Sequence, residues 1–318
     1  MLPTSPGPDR GLLELLNLLR EEDSFISGEV LAARVGLSRA GVWKRLHRLK
    51  TMGYLIEGEP RRGYRLLAAP DKLFAEEVLH RLGTTYLRGP IYHFESAPST
   101  NDTAKLLGTQ GAAEGVLVLA ETQTTGRGRL GRFWLSPPSL GIYASLLLRP
   151  PLPPTELPQI TLSTAVAVVR ALTRAAGVTP GIKWPNDLIL NGKKLGGILT
   201  EMETESDQIR YLVVGLGLNV NNPDFPRNWR AGPLHSLTKP GAPFPAWPSC
   251  RPGWRSLKPF MSAFWPGAFP RFWRNGSSIP LPWGNTWPCA RDPARWRAWP
   301  RKSLQMGPSW WRPPGAKW

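Results

Sequence analysis

The chain changes character near Pro226 and Arg227, and only the part before that junction carries periodicities from which a fold can be read. Residues 1–226 hold 25 Lys and Arg against 22 Asp and Glu, a net +3, whereas residues 227–318 hold 15 Lys and Arg against one acid, Asp292. The later segment also takes 12 of the 15 Trp, 17 of the 35 Pro and both cysteines, Cys250 and Cys289. The formal charge of +17 is thus a property of one segment and does not by itself argue for a nucleic-acid or membrane partner. Residues 227–318 show neither a repeat nor an amphipathic period, so they receive no helix or strand and read as disordered.

The genetic code offers a specific account of that segment. Trp is TGG and Pro is CCN, so a Trp-Pro pair read one base earlier contains GCC, an Ala codon, after a codon ending in TG. Phe264-Trp265-Pro266 then becomes Leu-Ala, and Trp283-Gly284 becomes Gly preceded by Leu, Met or Val. The same shift permits amphipathic sequence over Phe260–Pro270 and Phe272–Trp287, and hairpin-forming stretches from Gln305 onward. Degenerate codon positions are free, so this is a consistency test; the rival is a natural basic tail, a class that seldom carries this much Trp. The expectation is a coding segment read out of frame.

At 318 residues the chain suffices for two or three domains without disulfide staples. No run of about 18 apolar residues occurs, and Pro3, Pro6, Pro8 and Asp9 break the basic-then-apolar layout of a secretion signal. A cytoplasmic protein with no membrane partner is expected.

Residues 11–66 have the layout of a winged helix-turn-helix, within a first domain drawn at 1–68. Leu12, Leu13, Leu15, Leu16, Leu18 and Leu19 give a broad apolar stripe. Ser27 caps a second helix with Val30, Leu31 and Val35, Gly36 makes the turn, and Ser38 caps a third helix running to about Met52. Val42, Leu46 and Leu49 would face its core, leaving Ser38, Arg39, Ala40, Lys44, Arg45 and Arg48 outward for base edges and phosphates. Trp43 suits either groove or core. Tyr54–Leu66 reads as a wing tipped by Arg61 and Arg62, and the rival reading is a packing domain with a solvated basic face.

Residues 69–226 alternate short apolar runs with turns. Val116–Ala120, Gly141–Leu148, Ile182–Trp184, Leu195–Glu201 and Tyr211–Leu216 read as strands, and Thr155–Ala176 reads as a helix interrupted early by Pro158, so an α+β sheet domain is expected. The outstanding feature is Gly126-Arg127-Gly128-Arg129-Leu130-Gly131-Arg132, directly after a strand. Glycines let backbone amides approach an oxyanion and arginines add forked charge, which suits a phosphate or adenylate. It is neither a Walker A loop nor the dinucleotide fingerprint, and Arg/Gly loops also bind RNA or stay solvated. Ser99-Thr100-Asn101 opens a helix; Lys183-Trp184-Pro185-Asn186-Asp187 ends a strand with a cation and a carboxylate; Lys193-Lys194-Leu195-Gly196-Gly197-Ile198-Leu199 follows. Alone, these are equally a helix cap, a turn and a solvated lysine pair.

Taken in order and spacing, with Glu121-Thr122-Gln123 before the Gly-Arg loop and Gly215-Leu216-Gly217-Leu218-Asn219-Val220 after it, these segments resemble biotin protein ligases of the kind that double as biotin-operon repressors. The resemblance covers residues 11–226, and the shifted frame resembles the family's C-terminal part. It implies a class II aminoacyl-tRNA-synthetase-like mixed sheet and a small C-terminal β-barrel that this chain does not provide as written. It also implies biotin and ATP as substrates with Mg²⁺, a biotin carboxyl carrier protein as acceptor, operator DNA and a ligand-promoted homodimer.

Residue by residue, the resemblance assigns catalysis to Arg129, Lys194, Lys183 and Asp187, the last a candidate for Mg²⁺ through water. Biotin would meet Ser99, Thr100, Asn101, Gln123, Gly126, Arg127, Gly128, Gly197, Leu199, Gly215 and Gly217. The nucleotide would meet Arg129, Arg132, Trp134, Asn186, Lys194 and Asn219. Two other readings stay open: a biotin-sensing regulator whose ligase chemistry was lost with the altered C-terminus, and a lipoate ligase relative.

Overall fold

The computed structural model describes residues 9–80 and 89–220. By its contacts the chain divides into Met1–Pro270 and Arg271–Trp318, and every described residue belongs to the first unit. The expectations of an out-of-frame segment over 227–318 and of an absent C-terminal β-barrel fall outside the described residues.

Three helices and a hairpin open the chain. α1 (Arg10–Glu21) starts at Asp9, α2 (Gly28–Val35) at Ser27 and α3 (Arg39–Thr51) at Ser38, each side-chain oxygen accepting from an amide of the first turn. Those amides would otherwise be orphaned, so three short polar residues fix three helix starts. Gly36, left-handed at φ 66°, ends α2 and turns the chain into α3. Leu12, Leu15, Leu16 and Leu19 pack with Leu31, Val42, Leu46 and Leu49, each fully buried leucine being worth roughly 2 kcal/mol. The stripe is narrower than expected, since Leu13 and Leu18 are only partly covered and Val30 is exposed.

The wing is β1 (Leu55–Glu59) paired antiparallel with β2 (Gly63–Ala68), turning through Arg61 and Arg62. Backbone bonds between Ile26 and Tyr64, of 2.9 and 2.8 Å, stitch its root to the segment before α2. Gly63 makes that approach possible: at φ +108°, a Cβ there would lie 2.0 Å from the Ile26 carbonyl oxygen.

The short helix α4 (Ala75–Leu79) follows the wing. Glu77 pairs with Arg20 of α1 and accepts from the Tyr54 hydroxyl, while His80 Nδ1 lies 2.6 Å from Asn17 Oδ1. Tyr54 and Phe74 stack, and Phe74 meets His93 edge-on at 4.8 Å.

The remainder is a seven-stranded mixed sheet. In chain order it contains β3 (Ile91–Phe94), β4 (Leu117–Ala120), β5 (Gly141–Leu148), β6 (Gly181–Lys183), β7 (Asp187–Leu190), β8 (Lys193–Glu205) and β9 (Gln208–Asn219). Spatially the order is β3-β4-β5-β9-β8-β7-β6; β3 and β4 run parallel and every other pair is antiparallel. α5 (Thr100–Thr109) covers one face, where Ala104 and Leu107 meet Val118, Leu147 and Val213. α6 (Leu157–Ala176) covers the other: Thr200, facing opposite Leu199 by strand alternation, meets Thr161 at 2.8 Å. Pro158 does not interrupt α6, because it occupies the first turn, where a missing N–H breaks no helical bond.

Candidate active site

The motif residues converge on one cavity of about 580 Å³ on the α5 face of the sheet. Four chain segments far apart in sequence build it: the start of α5, the loop after β4, the β6–β7 turn, and the paired strands β8 and β9. The register Gly197↔Gly217 and Leu199↔Gly215 sets small residues side by side as its floor. Their glycines answer to neighbours. A Cβ at Gly217 would lie 2.6 Å from the Trp134 ring, and one at Gly215 would lie 2.0 Å from Asn101 Oδ1. Trp134 and Asn101 can therefore reach the sheet only over bare backbone.

A chain of polar groups crosses the floor. Gln123 Oε1 accepts from Thr100 N at 2.9 Å and lies 3.2 Å from Thr100 Oγ1, while Gln123 Nε2 donates to Ser136 Oγ at 2.9 Å. Ser145 Oγ, fully buried in β5, lies 2.8 Å from Thr100 Oγ1 and 2.6 Å from Asn101 Oδ1. Asn101 Nδ2 donates to Glu201 Oε2 at 2.8 Å and to the Leu199 carbonyl at 3.2 Å. Ser99 caps α5. Burial raises the Glu201 pKa, but hydrogen bonds from Asn101 and Lys105 and the charges of Lys105 and Arg127 outweigh it, so the carboxyl sits below its ordinary range.

Each of three cations at the cavity has a partner of its own. Arg127 pairs with Asp102 and lies 3.8 Å from Glu201. Arg129 donates to Asn186 Oδ1 at 3.2 Å. Lys194 Nζ lies 2.8 Å from Asp187 Oδ1 and 5.4 Å from the Trp134 ring centroid. A β-bulge between Leu188 and Ile189 accompanies this meeting of β7 and β8. Lys183 faces Asp187 across the β6–β7 pair. The glycine loop closes on itself through Gly128 N to Arg132 O at 2.7 Å and Trp134 N to Gly126 O at 2.8 Å, with Leu130 left-handed at its tip. Together the groups can bind an anion and a small ligand needing both donors and acceptors.

Of the catalytic, biotin and nucleotide residues named from sequence, all line this cavity except Gly126 and Asn219. Gly126 sits behind it, where a Cβ would meet the Trp134 carbonyl at 2.5 Å, and Asn219 is fully buried at the end of β9. Sequence reasoning missed Ser145, Ser136, Asp102 and Glu201. A lone hydroxyl inside the apolar run Gly141–Leu148 was the available signal for Ser145; the others show only through their contacts. Among the described residues no group of three or more His, Cys, Asp or Glu converges.

On α3, Ser38, Arg39, Ala40, Lys44 and Arg48 are exposed, and Trp43, 62% exposed and stacked on His47, belongs to that face and not to the core. Arg45 departs from expectation: Asp9 clasps its guanidinium at 3.2 and 3.3 Å, so it braces α1 against α3. At the wing tip Arg62 bonds Glu59 at 2.5 Å and, with Arg65, lies over the Phe25 ring. No helix among the described residues is long and apolar enough to cross a membrane.

The profile described as the Biotin/lipoate A/B protein ligase family matches residues 93–219, and one described as an HTH domain matches residues 12–65. The "Bifunctional ligase/repressor BirA" of Bacillus subtilis (strain 168) is 43% identical over 219 residues, 68% of this chain and 67% of that protein. The protein of the same name from Escherichia coli (strain K12) is 32% identical over 209 residues, 65% of this chain and 63% of that protein. A solved biotin protein ligase from Aquifex aeolicus in complex with biotin and ATP is 35% identical, with a TM-score of 0.36 and coverage of 43% of this chain and 55% of that one. The chain thus spans about two thirds of these curated relatives and little more than half of the solved ligase. The helix-turn-helix match precedes the ligase match along the chain, and the chain belongs to the biotin protein ligase family of bifunctional ligase/repressors.

Proposed function

We propose that the chain is a biotin protein ligase that also represses transcription in response to biotin. The observation that carries this reading is the convergence of Thr100, Gln123, Arg127, Arg129 and Lys194, from separate motifs, on one glycine-floored cavity. In the first step a biotin carboxylate oxygen attacks the α-phosphorus of ATP, pyrophosphate leaves, and biotinyl-5′-adenylate forms. In the second, a lysine amine of a biotin carboxyl carrier protein attacks the acyl carbon and AMP leaves. Negative charge builds on the α-phosphate in the first step, and a fixed cation placed there is worth about 3 kcal/mol.

Arg129 and Lys194 are the cations assigned to that charge, and Arg127 closes over biotin and the phosphate. Thr100 and Gln123 face biotin's ureido ring, whose N–H and C=O groups need acceptors and donors. Trp134, beside Lys194, is assigned to the nucleotide. Mg²⁺ would enter with the ATP phosphates and offset the charge of the leaving pyrophosphate. Asp187, whose Oδ1 lies 2.8 Å from Lys194 Nζ, is the acid assigned to it through water.

The repressor half rests on α3 and the wing, whose exposed Arg39, Trp43, Lys44, Arg48, Arg61 and Arg62 suit a major groove and its phosphates. A ligand-promoted homodimer would place two such modules on a two-fold operator. The test mixes protein, ATP and Mg²⁺ with biotin or lipoate and the matching carrier domain. Labelling by biotin, lowered about 100-fold in Arg129→Ala and Lys194→Ala, is expected. A preference for lipoate, or unimpaired variants, would overturn the assignment. The repressor half fails if biotin and ATP change neither the solution mass nor the retention of DNA from the protein's own biotin operon.

A further inference from the structure

Trp43 is the one large apolar side chain of α3 left in solvent, at 62% exposure. Every other exposed position of that helix is charged, polar or small. The core stripe of Val42, Leu46 and Leu49 is complete without it, so nothing in the folding of the head asks for an indole there. The ring is also steadied. His47, one turn on, stacks on it with centroids 5.6 Å apart and planes 13° from parallel. One face is therefore backed by the imidazole, and the other stays open. Spacings of three and four residues set Ala40, Trp43, Lys44 and His47 along one outward strip, and Ala40 is small enough to let a neighbouring surface approach the ring.

The surroundings say what that surface is. Arg39, Lys44 and Arg48 are exposed cations of the same helix. Arg39 pairs with Glu29 at 2.7 Å and Arg48 with Asp9 at 3.8 Å, solvent-facing pairs of the kind a polyanion exchanges at little cost. Such a rim suits phosphates, which fix a helix on a duplex without reading its sequence. An indole face has no use for a phosphate. Within the major groove the apolar group that can fill a contact with it is the C5-methyl of thymine.

We propose that Trp43, backed by His47, is a specificity-determining residue that reads thymine methyl groups in the major groove, while the cations around it hold the helix on the phosphates. This deepens the repressor reading and rests on it. A duplex fits the surface better than a protein partner does, because the apolar area is a single ring enclosed by positive charge, whereas an apolar docking face would extend over neighbouring side chains. Ala40, one turn before the ring, adds a second small apolar contact on the same strip.

The test uses the full chain with biotin and ATP, and DNA from the control region of the protein's own biotin operon. Footprinting locates the protected thymines. A second duplex carries deoxyuridine at those positions, which deletes the methyl groups and keeps every base-pairing edge and every phosphate. In competition titrations the parent should bind the uracil duplex more weakly by roughly fourfold for each methyl contacted. Trp43→Ala should weaken binding to the thymine duplex by a similar factor and abolish the preference. Trp43→Phe, which keeps a smaller ring, should retain part of it, and His47→Ala, which leaves the indole unbacked, should reduce it. The slope of affinity against salt should stay parental in Trp43→Ala, since no phosphate contact is lost, whereas Lys44→Ala should flatten it by about one unit. A parent that binds both duplexes equally overturns the proposal, as does a Trp43→Ala protein that keeps the full preference. A loss in Trp43→Ala that comes with a flattened salt slope marks a displaced helix and overturns it too; should that variant melt early, Trp43→Phe decides by the same two readouts. If the parent retains neither duplex, the repressor reading fails and this inference falls with it, whereas retention of both without discrimination leaves that reading standing and sinks this one alone.

Discussion

At the scale of single residues, the sequence announced the groups that carry charge and hid those that hold them. The arginines of the Gly-Arg loop and Lys194 stand in motifs with a direct chemical meaning, so they could be named before any fold was known. Ser145 and Glu201 could not. Their contacts with Asn101 come from the way α5 lies over the sheet, relations between residues 44 and 100 positions apart. Gly215 shows the same limit: it reads as a pocket-lining glycine, but the structure gives its bareness to the Asn101 amide, 2.0 Å from where a Cβ would stand. Gly215→Ala should therefore displace Asn101 and lower biotin affinity by at least about tenfold, with a fall in Tm, because the amide is confined by Ser145 and Glu201 and cannot simply retreat. Titration and thermal melts check this, and an Ala variant with parental affinity would show that the amide has room to move.

At the scale of elements, long periodic segments were legible and short ones were not. α3 and α6 follow helical periods and β5 an almost unbroken apolar run, while β3 and β7, four residues each, carry too few positions for a period to register. The hairpin of β8 and β9 extends beyond the expected stretches, because its outer end is polar and is joined by backbone pairing and by Arg210 with Glu203 at 2.8 Å. α4 was missed as well. It is five residues long with two adjacent acids, yet Glu76 and Glu77 are both buried against the helix-turn-helix.

Desolvation pushes the Glu76 carboxyl above its ordinary value of 4.5, whereas Glu77 is spanned by Arg20 and Tyr54. An acid with a raised folded pKa keeps its proton where the unfolded chain has lost it, so stability falls as pH rises above about 4.5 toward the folded pKa. Glu76→Gln removes that loss. It should raise stability at pH 7 by roughly 1–3 kcal/mol, with the difference vanishing below pH 4.5, as melts across pH will show. A variant less stable than the parent at pH 7 would mean that the Glu76 charge is compensated after all.

At the scale of the whole molecule, the order of a DNA-reading head and a ligase core was plain from sequence because each announces itself through local signals: caps and turns in one, cation and glycine motifs in the other. Residues 227–318 obey neither set of signals. If they are a shifted reading of a natural C-terminal region, restoring the frame from codon 227 should raise carrier biotinylation at least about tenfold over the chain as given, because the adenylate site would gain the rest of its enclosure. Equal turnover by both proteins would show that residues 1–226 contain all the catalytic machinery. Sequencing the DNA around that codon checks the premise independently.

The pairing of Lys194 with Asp187, and of Arg127 with Asp102, bears on what the cleft ignores. A tethered carboxylate competes at a high effective concentration against any free anion, so a solitary phosphate or sulfate from the surrounding medium gains little by displacing it. Only a molecule that grips several positions at once recovers the cost of breaking both pairs, which makes the resting protein indifferent to ambient salts while leaving it responsive to a multiply anchored guest.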